Sequence, residues 1–207
     1  MDIRRRVLVM FCLVASAAEF GHSALSDPAG PNKPQILPRD REATLALSAA
    51  PPHLRSGTAV YALESKGFVI IRESSNHFSC IVNRESALDL RPTCYDAEGS
   101  ATILPKVIQV GAWLMAGKST AQIAKLVAEG FASGKFIAPR RPGIAYMMAE
   151  ENRRFDPNTG SVSSTGPHIM FYAPNLTNAD IGSSGAGAGM PFIADYGPHG
   201  FIIVMSP

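Results

Sequence analysis

Three histidines, a serine-bearing glycine loop, two neighbouring acids and two cysteines are the groups here with chemistry to offer. His77, His168 and His199 supply three imidazoles, as many protein ligands as a catalytic zinc site uses. None stands at a short ligand spacing from another, and no His-Glu-x-x-His run occurs, so neither a metal nor a cofactor is expected. His168 with Asp195 and Ser183 or Ser184 would provide the base, acid and nucleophile of a hydrolase. The Gly-x-Ser-x-Gly elbow that would present such a serine is missing.

The run from Gly182 to Gly189 invites a phosphate-cradle reading. A cradle needs a helix directly after it, and this run enters Met190-Pro191 and a strand instead, so it reads as a flexible loop or lid. Asp96 and Glu98 could form an acid/base pair. Two acids at that spacing just before a helix are more simply favourable charges at its positive end.

Residues 1–26 read as a secretory signal peptide. Arg4–Arg6 form the charged region and Val7–Ala18 an apolar stretch of 12 residues, too short for the roughly 20 that span a bilayer. Small residues offer cleavage after Ala18 or after Ser26. The expected location is secreted or periplasmic, with no membrane span left after cleavage. Removing the leader leaves a formal charge of +1, from 16 basic and 15 acidic residues. Nucleic acid is therefore no expected partner, because it needs a basic footprint that this chain lacks.

Export changes how Cys80 and Cys94 are read. In an oxidising compartment the first expectation is a disulfide, ahead of a free thiol or a metal pair. It would close a loop of about 15 residues, worth roughly 3 kcal/mol in the chain-entropy model.

The positioning elements follow from pattern. Residues 27–39 carry four prolines and form an extended lead-in to a single domain over 40–207. Asp40 looks like the N-cap of a helix over 41–50 that Pro51-Pro52 ends. Runs 58–64, 67–73 and 77–84 are rich in β-branched and aromatic residues with short polar turns, which argues for an antiparallel meander. Period-2 alternation turns Cys80 inward with Phe78 and Val82.

Two helices follow. Pro105 fits only a first turn, so one helix starts near Leu104 and runs to about Ala116. Ser119 to Gln122 is a capping box for the next, which Gly134 stops. Strands are expected at 143–149, 167–173, 192–196 and 201–205, the last two as a hairpin, with 150–165 polar and exposed. The sum is an α+β fold with an antiparallel sheet of about six or seven strands and helices packed on it. Its layout is similar, by analogy, to PAS/Cache and profilin-like sensors.

The stretches PPHLRSGTAVYALESKGF, CYDAEGSATILP, RRPGIAYMM and PHIMFYAPN together resemble a family of exported bacterial proteins with no assigned activity. The resemblance covers most of the chain from about residue 40 and implies secretion and one domain, with no chemistry to carry over. Members of that family have an Asn-Gly-Phe type of turn before the first cysteine, where this chain has Asn76-His77-Phe78.

These readings converge on an exported, non-enzymatic module that binds or senses a small molecule. Its ligand would lie between loop 174–190 and a sheet face bearing Tyr61, His168, Met170 and Tyr172. Two alternatives stand beside it: a secreted hydrolase using His168, a loop serine and Asp195, and a structural or partner-binding protein with no pocket.

Overall fold

The computed structural model describes residues 33–156, 158–186 and 189–205. The expected signal peptide, residues 1–26, and the first part of the proline-rich lead-in lie outside the described residues, as does part of the glycine loop. In chain order the elements are α1 (Arg39–Ser48), β1 (Ala59–Glu64), β2 (Gly67–Arg72), β3 (Ser79–Asn83), β4 (Arg91–Tyr95) and α2 (Ala97–Thr102). There follow α3 (Leu104–Met115), α4 (Thr120–Ala132), β5 (Ile144–Met147), β6 (Arg153–Asp156), β7 (Ser161–Ser164), β8 (His168–Tyr172), β9 (Phe192–Ala194) and β10 (Phe201–Met205).

Eight strands form one mixed sheet in the order β2-β1-β3-β4-β5-β8-β10-β9, and β6 pairs with β7 in a separate two-stranded sheet. The fold is α+β, with more strands than the six or seven expected. The strand readings need one correction and one addition. The first three strands are not a simple meander, because β3 runs parallel to β1. The end of β2 lies beside the start of β1, where Arg72 pairs with Val60, so the chain needs only to hop past one strand to begin β3.

Backbone bonds from Ser75 and Asn76 to the Gly57 carbonyl pin that hop. His77 turns it at φ 64°, a left-handed conformation that glycine adopts at lower cost.

The addition is β4, an inner strand in a stretch that carried no strand assignment. Pro92 hides it, since proline is rarely found inside a sheet. Cys80 and Cys94 are paired with Cα atoms 4.0 Å apart, the short spacing of a pair without mutual hydrogen bonds. Pro92, two residues away, has the same orientation, so its nitrogen faces the β5 side. There the ladder holds only Cys94 and Tyr95, and no partner asks Pro92 for an N–H.

The helices fall close to their expected bounds. Helix α1 starts one residue before Asp40, which sits in its first turn and does not cap it. In α4 both bonds of the Ser119–Gln122 capping box are present. One face of the sheet packs Ile81, Tyr95, Met147, Met170, Tyr172 and Phe201 against Ile103, Leu104 and Val107 at the α2–α3 corner. The other face lays Val60, Val82, Leu90 and the Cys80–Cys94 disulfide under Leu45, Ala46 and Ala49 of α1. On this second side Glu42 of α1 meets Arg84, just past β3, in an ion pair closed to solvent.

Candidate functional site

A small cleft with about 20 Å³ of enclosed space, room for a water molecule, lies on the face that carries Thr93, Tyr95, Met147, Met170 and Phe201. Ile103 and Lys106 at the α2–α3 corner also line it, as do Asp195 and His199 on the turn that joins β9 to β10, and Asn83, Glu85 and Arg91 of the β3–β4 hairpin.

The charged groups are arranged in order. Arg91 donates from Nη1 to the Glu85 carboxylate, and its Nη2 stands 3.8 Å from Asp195 Oδ2. Lys106 Nζ lies 3.9 Å from Glu85 Oε1, beyond hydrogen-bond reach. Burial by itself would raise the Glu85 carboxyl, but the charges of Arg91, Lys106 and Arg154 outweigh it and hold the group down at about 2. Burial also pushes the Tyr95 phenol up, well above its ordinary value.

His199 is 6% exposed, and its ring meets Phe131 edge-on at 4.7 Å between centroids. Nε2 is 2.8 Å from the Ile137 carbonyl, which can only accept, so the proton sits on Nε2. That leaves Nδ1 as a bare acceptor, and it is buried without a hydrogen-bond partner among the described residues. Burial, aided by Lys106 and opposed by the Ile137 bond, brings this imidazole down to about 4. It is neutral at neutral pH.

The sign of the pH effect follows. The unfolded chain takes up protons on His199 below its ordinary value near 6.5, while the folded chain refuses them down to about 4. Stability is therefore complete above the upper limit and falls as pH drops through that window. His168, also lowered by burial, adds to the same fall. A thermal-unfolding series against pH should record the decline, and His199→Gln should flatten it. An unchanged slope in that variant would refute the assignment.

The residues expected at a site are only partly brought together. Met170 lines the cleft. His168 is buried beside Met147 and Met205 in the ladder, with Nδ1 2.7 Å from the Gly166 carbonyl and no hydrogen bond to a serine or carboxylate among the described residues. Asp195 faces Arg91 instead. Ser183 Oγ accepts from the Gly185 amide.

Tyr172 donates within a tight corner in which its hydroxyl stands 2.7 Å from Asp96 Oδ1 and 2.8 Å from the Ile144 carbonyl. A Cβ on Gly99 would sit 2.1 Å from that hydroxyl, which is why the corner closes there. Tyr61 shares the face but stands on β1, four strand spacings or roughly 19 Å from β8.

Asp96 caps α2 by accepting from the Gly99 amide and also accepts from Ile144 N, while Glu98 accepts from Arg140 N and Arg141 Nε. Both acids are occupied in holding the corner between α2 and the 140–144 segment. Among the described residues no group of three or more His, Cys, Asp or Glu is placed to hold a metal ion. No described helix is long and apolar enough to cross a membrane.

Sequence reading passed over Glu85, Arg91, Lys106 and His199 as components of one place. They come from three separate segments, the β3–β4 hairpin, α3 and the β9–β10 turn, and each alone reads as a solvated charge or a turn residue. Compared with protein-family models, curated proteins and solved structures, the chain matches none of them.

Proposed function

We propose that this chain is an exported, secreted or periplasmic module that binds or senses a small polar molecule in the cleft between the sheet and the 195–200 turn. The observation that carries the reading is the buried, unpartnered Nδ1 of His199 in a cleft that also holds Lys106 and Asp195. A buried polar atom left unpaired costs about 1–3 kcal/mol, and a ligand that satisfies it recovers that cost on binding.

Export is supported by the leader-like residues 1–26, by the resemblance to an exported bacterial family, and by a disulfide of the kind that persists in oxidising compartments. The finer likeness to PAS/Cache or profilin-like sensors belongs to this proposal and rests on element order alone. The test is an amide NMR titration of the purified chain with a panel of small carboxylates, amines, zwitterions and sugars. Shift changes centred on Lys106, Asp195 and His199 are expected for at least one class. Silence across the whole panel, or changes centred elsewhere, would reject the reading.

A further inference from the structure

The eight-stranded sheet has two edges, and only one of them is closed. At β9 the edge strand is 3 residues long and Pro191 stands directly before it. The Ile193 amide donates to Asn178 Oδ1, in the loop that leads into the strand. Short length, a proline and a covering loop are the usual ways in which a protein blunts an exposed strand. At the other edge β2 has none of them. It runs for 6 residues, GFVIIR, with no charge before Arg72, whose guanidinium turns back to the Thr58 and Arg55 carbonyls.

The pairing with β1 fixes which backbone groups of β2 stay open. Ser65-Lys66 is a tight turn that closes on the Glu64–Gly67 pair. Gly67 and Val69 therefore bond towards β1, while Phe68 and Ile70 aim their N–H and C=O groups outward. Among the described residues no other segment's backbone meets those groups. The bulge against β1 comes only beyond Ile70, so the open stretch is regular. Ile70, in its middle, is 42% exposed.

The ends of the strand say what fits there. Lys66 stands before it and Glu73 after it, both exposed, and neither has an ion-pair partner among the described residues. A strand with opposite charges at its two ends complements itself when reversed. A parallel copy would instead set Lys66 beside Lys66. We infer that the chain pairs through β2 with a second copy of itself, antiparallel across a two-fold axis, as one continuous sheet. Ile70 then packs against Ile70, and Lys66 of each copy comes to the end that carries Glu73 of the other. Opposite charges across such a pair are favourable and like charges are not. The cleft lies on inner strands of the sheet and is left open by this pairing.

Sedimentation of the purified chain over a concentration series tests this, with amide exchange read at the two ends of the series. A reversible dimer is expected, and the Phe68 and Ile70 amides should become slower to exchange as it forms. Ile70→Lys, checked for unchanged circular dichroism, sets like charges against each other at the axis and should weaken the dimer at least tenfold. Lys66→Glu should weaken it severalfold, and adding Glu73→Lys to that variant should restore it.

A monomer at every concentration would overturn the inference. So would a dimer that Ile70→Lys leaves unchanged, or one whose protection falls on β9 or on β5 and β8 in place of β2. A loss in Lys66→Glu that Glu73→Lys fails to restore would overturn the antiparallel arrangement.

Discussion

Glu42→Ala should lower the unfolding free energy by about 3–5 kcal/mol. Glu42 is 0% and Arg84 1% exposed. Arg84 Nη2 donates to both Glu42 oxygens, at 3.0 and 3.3 Å, and Nη1 donates to the Val82 carbonyl at 2.6 Å. Burial raises the Glu42 carboxyl and lowers the Arg84 guanidinium, and their mutual attraction opposes both shifts. The pair fastens α1 to the sheet beyond β3.

Removing the acid strands a guanidinium in a dry site, which is far more costly than the pair itself is stabilising. A second variant separates the two effects. Glu42→Leu with Arg84→Met removes both charges at similar volume and should recover most of the loss. Urea unfolding at neutral pH, with slopes compared to confirm an unchanged native state, gives both numbers. A Glu42→Ala protein within about 1 kcal/mol of the parent would refute the account.

That pair also marks where the sequence was legible and where it was not. Helix α3 was readable because Pro105 can only stand in a first turn, and α4 because Ser119 and Gln122 cap it reciprocally. The alternation in β8 was readable too: His168, Met170 and Tyr172 are buried while Phe171 is 43% exposed. These are local rules, satisfied within a few residues.

What was not legible depends on neighbours far along the chain. Pro92 is acceptable inside the sheet only because β5 is too short to reach it. Glu42 and Arg84 look like surface charges until α1 is laid over β3. Tyr61 and Tyr172 share a face, yet the strand order separates them, since β3, β4 and β5 lie between β1 and β8. His199 in Gly-Pro-His-Gly reads as a turn residue, and only the folding of that turn against Ile137 and Phe131 buries it.

Replacing both Cys80 and Cys94 by alanine should cost about 3 kcal/mol and lower the unfolding temperature by roughly 6–12 °C. The two residues face each other across β3 and β4, both fully buried, and the covalent loop spans a sequence separation of 14. In the chain-entropy account the link acts mainly on the unfolded chain, which loses freedom when that loop is tied. Its effect on the native state has a particular address. The tied hairpin carries Glu85 and Arg91, the charged end of the cleft, while Lys106, Asp195 and His199 are held by other segments.

The double variant should therefore keep its fold at room temperature and bind any cleft ligand more weakly. Amide exchange should speed up between residues 80 and 95 more than in α3 or β10. Mass measurement should find two protons fewer in the untreated chain than in the reduced one. Two freely alkylated thiols without reductant would show that the link is absent in solution. An unfolding temperature within about 2 °C of the parent would show that the link is present but carries little of the stability assigned to it.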